Sequence, residues 1–274
     1  MRIAKMKKYD GWLIVSDMDA TLLDENKQIS AENKQANDYF IENGGLFTVA
    51  SGRMATEVKM YFDTFSVNAP AILNNGAQIH DFKNDIDLML KCIEEDRKDS
   101  VRRAYENISG VGIEVCTASD NVYIYRECSE TGRYKKRNVT VNYGMNEQAW
   151  SDKWIKVLII GEKEQLDAVD PVYRSMYDKG YVVRSGENYL DIVANGASKG
   201  NALTVLFERM GVKRDHVIAV GDNMNDISMI YAAGIGVAVE NGVDELKNAA
   251  DIIAPPHTEP VVKFVIEEII DKRI

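Results

Sequence analysis

Two carboxylates two positions apart, Asp17 and Asp19, follow directly on the apolar run Trp12 to Val15 in the segment Asp17-Met18-Asp19-Ala20-Thr21. Along an extended backbone side chains i and i+2 point the same way, so the pair shares a direction if strand geometry holds one step beyond the run. One carboxylate then serves as nucleophile and the other as acid and base. By itself the segment also reads as an acidic turn with a capping threonine. A second run, Leu46 to Ala50, ends in Ser51-Gly52-Arg53 ahead of the helix-compatible stretch Ala55 to Tyr61. A hydroxyl, a glycine that lets backbone approach a ligand, and amides at a helix start are donors suited to an anion, although an isolated Ser-Gly-Arg is also an ordinary loop.

The run Val217 to Val220 ends in Gly221-Asp222-Asn223-Met224-Asn225-Asp226. Asp222 adds a third carboxylate at a strand end, and hard oxygen ligands from several strand ends are what a Mg²⁺ site needs. Asp226 is placed to ligate through water or to support the direct ligands, while Asn223 and Asn225 also suit helix caps. Lys199 follows Ser198 at the start of an expected helix, where a cation opposes the macrodipole unless something negative is near. A bound phosphate supplies that charge, and the lysine offsets repulsion between anionic nucleophile and anionic substrate. Alone, it is a surface lysine.

The elements that position these residues follow from periodicity. Trp12 to Val15, Leu46 to Ala50, Ala71 to Leu73, Val217 to Val220 and Ile235 to Val239 are short continuous apolar runs, as in strands of a parallel sheet buried on both faces, with Ile252 to Ala254 a candidate sixth. Between them one helix opens at Ser30 and closes at Gly44; another opens at Ser198 and carries Leu203, Leu206, Phe207 and Met210 at helical spacing before Gly211. Strand alternating with helix predicts a doubly wound, Rossmann-like α/β fold whose ligand sits beyond the carboxyl ends of the strands. The middle of the chain differs. Ile113 to Cys116, Val122 to Tyr125, Ile155 to Ile160, Tyr181 to Arg184 and Tyr189 to Val193 are strand candidates, and the alternation at Thr117, Tyr123 and Tyr125 suggests a sheet with one face in water. This predicts an α+β domain over residues 84–194, inserted into a core made of 1–83 and 195–274, with Gly76 and Gly196 as hinge punctuation or equally as ordinary turns.

Composition bounds the function. The chain has 274 residues, 45% of them hydrophobic, enough for a sizeable core, and a formal charge of −10. That acidity argues against nucleic acid as a partner; the short basic run Arg133 to Arg137 is a solvated loop before it is a phosphate-backbone site. Cys92, Cys116 and Cys128 lack disulfide or metal spacing, and His80, His216 and His257 are scattered, so reduced thiols and structural histidines are expected. No apolar run suits a signal peptide or an anchor, which predicts a cytoplasmic protein without membrane contact.

The four stations, in this order and each after an apolar strand or at a helix start, resemble the four motifs of the haloacid dehalogenase (HAD) superfamily of phosphohydrolases. Ile72-Leu-Asn-Asn-Gly-Ala-Gln-Ile79, Leu190-Asp-Ile192, Ser198-Lys-Gly-Asn-Ala-Leu203 and Gly221-Asp-Asn-Met-Asn-Asp226 are similar to its Cof-type, IIB branch, which carries a large α/β cap (C2B type) between the second and third motifs. The likeness spans nearly the whole chain. It implies that Asp17 attacks the phosphorus of a phosphomonoester to give an aspartyl-phosphate, and that Asp19 protonates the leaving oxygen and then activates water. It further implies Mg²⁺ held by Asp17, the Asp19 carbonyl and Asp222 with Asp226 in support, and phosphoryl oxygens bound by the Met18 amide, Ser51, Gly52, Lys199 and Asn225.

Three positions depart from the branch. Ala20 stands where glycine is usual, and little effect is expected from its methyl group; Ser51 replaces a frequent threonine but keeps the hydroxyl; the loop from Ala254 to Val261 lacks the usual Gly-Val pair. The resemblance implies a Mg²⁺-dependent phosphatase of small phosphorylated metabolites, sugar phosphates first, acting as a monomer or homodimer. Tyr123, Tyr125, Arg126, Asn188 and Tyr189 are candidates for the floor of the cap. Alternatives are a phosphomutase of similar fold and a sugar-phosphate-binding regulatory protein with incidental turnover.

Overall fold

The computed structural model describes residues 6–131 and 139–274. The basic run at 133–137 lies outside the described residues. Strand β1 (Leu13–Ser16), helix α1 (Ala31–Glu42), β2 (Leu46–Val49) and α2 (Ala55–Phe62) alternate as the sequence predicts. Ser30 caps α1 by accepting from the Asn33 amide at 3.2 Å. The strand β3 (Ala71–Leu73) departs from expectation: it heads an antiparallel sheet with β4 (Gln78–Asp81) and β5 (Ile86–Leu90), and among the described residues it is joined to the parallel sheet by a single parallel bridge from Ala50 to Ile72. The cause is the turn after it, where Asn74, Asn75 and Gly76 take φ of 51°, 55° and 90° and fold the chain straight back. Residues 84–90, expected within the insertion, thus complete a hairpin attached to the first part of the chain.

Then follow α3 (Glu95–Asn107), β6 (Gly112–Thr117), β7 (Asn121–Arg126), β8 (Thr140–Tyr143), α4 (Glu147–Ser151), β9 (Trp154–Ile160), α5 (Lys163–Met176), β10 (Val182–Gly186) and β11 (Tyr189–Val193). They form a six-stranded sheet, β10-β11-β9-β6-β7-β8, antiparallel except for the pair β7 and β8. Val101 and Ala104 of α3 and Leu166 and Tyr173 of α5 pack on one face, against Val115, Tyr123, Val157 and Ile159. The opposite face carries Val122, Ile124, Leu158 and Ile160 and meets Met54 at the start of α2. The face bearing Tyr123 is therefore covered by helices instead of water, and the alternation read at Tyr123 and Tyr125 separates a helix-packed face from a core-facing one.

The chain closes with α6 (Lys199–Arg209), β12 (Val217–Gly221), α7 (Ile227–Ala232), β13 (Ile235–Val239), α8 (Asp244–Ala249), β14 (Ile252–Ala254) and α9 (Val261–Phe264), the last continued by a π-helical turn, Val265–Ile270. Five parallel strands in the order β14-β13-β12-β1-β2 make the main sheet. Period-two alternation divides its side chains. Leu13, Val15, Val217 and Ala219 face Leu203 and Leu206 of α6, whereas Ile14, Phe47, Val49, Ile218 and Val220 face Phe40 of α1 and Ile266 and Ile269. Ser16 is in register with both Val49 and Val220, so three strands end level and their following residues share one rim. At one passage between sheets Gly76 lies so close to α6 that a Cβ there would sit 2.1 Å from the Ser198 carbonyl oxygen.

Candidate active site

The Asp17 amide donates to the Val220 carbonyl at 2.8 Å, which carries the parallel ladder one residue past β1. Its side chain turns onto the rim and meets Lys199. The Lys199 ammonium, fully buried, lies 2.5 Å from Asp17 Oδ1 and 2.6 Å from Asp226 Oδ1. Burial works against that charge, but the two carboxylates outweigh it and hold the lysine above its ordinary pKa. The Ser198 hydroxyl accepts from the Asn201 amide at 3.1 Å and caps α6, which fixes Lys199 in its first turn.

Asp17, Asp222 and Asp226 offer carboxylate oxygens that all lie within 4.8 Å of one another. Burial and the neighbouring charges of Asp226 and Asp222 push Asp17 well above the usual carboxylate range despite Lys199. Burial, then the charge of Asp226, push Asp222 up to about 7. One ammonium among three clustered acids leaves excess negative charge, and hard oxygens so arranged suit a small divalent cation. Asp226 is turned inward: its Oδ2 accepts from the amides of Asp222 at 3.0 Å and Asn223 at 3.1 Å while Oδ1 takes Lys199. The Thr21 hydroxyl donates to Asp222 Oδ1 at 3.1 Å.

Asp19 sits at the mouth. Arg53 donates to both of its oxygens, at 2.8 and 2.7 Å, and Lys27 adds a third bond at 2.8 Å. These bonds and charges overcome desolvation and hold Asp19 well below the usual carboxylate range. The turn from Met18 to Leu23, which carries Asp19, wraps the Met18 carbonyl, which accepts from the amides of Leu22 at 3.1 Å and Leu23 at 2.8 Å. That wrapping places Ala20 at φ +56°, the left-handed conformation that glycine takes without strain. The atypical C-terminal loop reaches the same turn, since Asn241 Oδ1 accepts from the His257 amide and its Nδ2 donates to the Ala20 carbonyl, both at 2.9 Å.

The anion-side residues also gather on the rim. Ser51 is buried, its amide bonded to the Ile72 carbonyl at 2.8 Å and its Oγ accepting from the Arg53 amide at 3.2 Å. Asn225 donates from Nδ2 to Asn75 Oδ1 at 3.1 Å. Between these loops and the six-stranded sheet is a cavity of about 530 Å³, bordered by Asp17, Asp19, Ser51, Gly52, Asp222 and Asn225. Met18, Lys199 and Asp226 are expected site residues that are fully buried beneath it and do not line it, Lys199 and Asp226 reaching the rim through their bonds to each other and to Asp17.

Of the cap residues expected on the floor, Asn188 and Tyr189 line the cavity. Tyr123 and Tyr125 pack instead on the helix side, Tyr125 stacked on Tyr105 at 3.8 Å, and Arg126 bonds the Tyr105 and Ile108 carbonyls. Lys27, Lys156, Leu158 and Asp191 line the cavity as well, Asp191 from the Leu190-Asp-Ile192 segment quoted for the resemblance and the other three not singled out in the sequence. A signal was present for two of them: Lys156 and Asp191 are lone charges inside otherwise apolar strands, and a buried charge needs a partner.

A family model for haloacid dehalogenase-like hydrolases matches residues 14–266. The chain belongs to this family. Its parallel core and added sheet correspond to the HAD fold with a cap. It is 25% identical to the 5-amino-6-(5-phospho-D-ribitylamino)uracil phosphatase YwtE of Bacillus subtilis, over 94% of this chain and 97% of the relative. It is 26% identical to the pyridoxal phosphate phosphatase YbhA of Escherichia coli, over 94% and 98%. The HAD subclass IIB sugar phosphatase BT4131 superposes with a TM-score of 0.80 at 19% identity, covering 94% of this chain and 98% of that one, and shares the fold. The chain is accordingly a phosphatase of the HAD family. Among the described residues no helix is long and apolar enough to cross a membrane.

Proposed function

We propose that the chain is a Mg²⁺-dependent phosphatase of small phosphorylated metabolites, sugar phosphates foremost, working through an aspartyl-phosphate on Asp17. The observation that carries this reading is the buried Lys199 ammonium bridging Asp17 and Asp226 where the parallel strands end. It points one Asp17 oxygen at a fixed cation and leaves the carboxylate able to form a bond to phosphorus. As that bond forms the ester P–O bond breaks, and the proton for the leaving oxygen comes from Asp19. Water then attacks the aspartyl-phosphate, Asp19 takes its proton, and free phosphate leaves Asp17 restored. The ionised Asp19 held by Arg53 and Lys27 is ready for this second half. For the first half Asp19 takes a proton from solvent as the anionic phosphoryl group draws those cations toward itself, and passes it to the leaving oxygen.

Lys199, Ser51, Gly52, Asn225 and the Met18 amide bind the phosphoryl oxygens, placing donors where charge spreads. The Asp17 carboxylate, the Asp19 carbonyl and Asp222 would hold Mg²⁺ with Asp226 in support; when bound it supplies Lewis-acid stabilisation of phosphoryl charge. We take the segment from the end of β5 to the end of β11 as the cap that closes over the cavity and excludes water. Its wall there is largely polar, with Lys156, Asn188 and Asp191, which favours a hydroxylated leaving group. A cytoplasmic monomer or homodimer fits this role.

Purified protein incubated with a panel of phosphomonoesters, with and without Mg²⁺, tests the reading. Release of phosphate that needs both Mg²⁺ and Asp17 is expected. Turnover equal without either overturns it, and exchange with a bisphosphorylated sugar in place of phosphate release would make it a mutase.

A further inference from the structure

Three charged side chains are buried where the cap sheet faces the core: Glu114 on β6, Lys156 on β9 and Asp191 on β11. They share one face, because Glu114 and Asp191 are each in register with Leu158, two residues from Lys156. Two of them reach across to the turns that build the phosphate site. Lys156 Nζ donates to the Gly52 carbonyl at 2.6 Å, and Asp191 Oδ2 accepts from Asn75 Nδ2.

Asn75 stands at a crossing point. It is 2% exposed, sits at φ +55°, and its amide donates to the Ser51 carbonyl at 3.1 Å. The hydrogen bond to Asp191 turns the NH₂ of Asn75 toward that carboxylate. Its Oδ1 is then the acceptor that holds Asn225 Nδ2, at 3.1 Å. The Nδ2 of Asn225 has a second hydrogen for an anion in the cavity it borders. Asp191 thus fixes which way Asn75 faces, and Asn75 fixes Asn225.

We propose that Asn75 is a positioning residue that transmits the seating of the cap sheet, through Asp191, to the phosphate-binding side chain of Asn225. The proposal rests on the assignment of Asn225 to the phosphoryl group. With the cap seated, the amide of Asn75 is pinned and Asn225 is aimed. When Asp191 moves away, Asn75 is able to rotate and the hold on the anion slackens, so closure and phosphate affinity are coupled.

The test uses inorganic phosphate as inhibitor and two esters with unlike leaving groups, p-nitrophenyl phosphate and glucose 6-phosphate. Asp191→Leu should weaken phosphate binding about tenfold and lower kcat by a similar factor on both esters, while Asp191→Asn, which keeps an acceptor, stays within about threefold; members of one relay are not additive, so Asp191→Leu/Asn225→Ala should be no worse than Asn225→Ala alone. Asn75→Gly, suited to the left-handed backbone, should reproduce the loss with little change in melting temperature and serves if Asp191→Leu folds poorly. Losses that multiply in the double variant overturn the relay, as does a changed ester ranking with phosphate binding intact, since Asp191 would then touch the leaving group. A wild-type protein that neither hydrolyses esters nor binds phosphate refutes the phosphatase reading and the relay with it, whereas an active wild type with multiplying losses refutes the relay alone.

Discussion

The core wall of the cavity and the cap wall both bury charge, by opposite means. On the core wall Asp17, Asp222 and Asp226 crowd around the single ammonium of Lys199, and the imbalance raises Asp17 and Asp222. On the cap wall Lys156 and Asp191 reach neutral groups of the core, the Gly52 carbonyl and the Asn75 amide. A wall with unbalanced charge is built to receive a cation and an anion. A wall whose charges bond across the gap is suited to seat against its neighbour, and on the proposed readings chemistry belongs to the first and its control to the second.

Substitutions sharpen this contrast. Asp17→Asn should lower kcat by about a thousandfold or more, about 4 kcal/mol of transition-state stabilisation, because it removes the proposed nucleophile, and steady-state kinetics will show it. Lys199→Met should destabilise the metal-free protein by about 3 to 5 kcal/mol, since it strands two buried carboxylates, and urea unfolding measures the loss. On the cap wall Lys156→Met should raise KM by about tenfold, about 1.4 kcal/mol, with kcat much less affected. An equal collapse of kcat there would break the division between the walls.

The pH dependence follows from the same imbalance. Asp222 titrates near 7 in the folded protein against 3.8 for an ordinary aspartate, so the native state binds the extra proton. Its contribution to stability is present below pH 4 and is lost as pH rises toward 7, because the folded chain must then hold another buried negative charge. Melting temperatures measured in a chelator should fall over that window, and Mg²⁺ should flatten the fall. The smallest effect concerns Ala20, where glycine relieves a left-handed alanine and should raise stability by about 0.5 to 1 kcal/mol in thermal unfolding.

The contrast also explains what the sequence disclosed. Asp17, Asp19, Ser51, Asp222 and Asn225 follow apolar strands directly, and parallel strands that end level bring such residues together whatever lies between. Lys199 was legible only within the ordered set, because alone at the Ser198-capped helix start it reads as a surface lysine. The cap wall depends on strand order in an antiparallel sheet, and order is not written in local periodicity. Hence Tyr123 and Tyr125, candidates for the floor, lie on the helix-packed face, while Lys156, from a strand whose apolar run had been recognised, passed unremarked and Asp191 was marked only within Leu190-Asp-Ile192. β3 misled for a similar reason: three apolar residues suit either kind of sheet, and the turn at Asn74 to Gly76 decides which.

Formation of a covalent phosphoenzyme tests the central claim most directly. Wild-type protein mixed with a ³²P-labelled phosphomonoester and Mg²⁺ and quenched in acid should carry hydroxylamine-labile label on the peptide containing Asp17, and Asp17→Asn should carry none. Full release of phosphate by an active enzyme with no label on that peptide at any quench time would contradict the account and shift the attack from Asp17 to water.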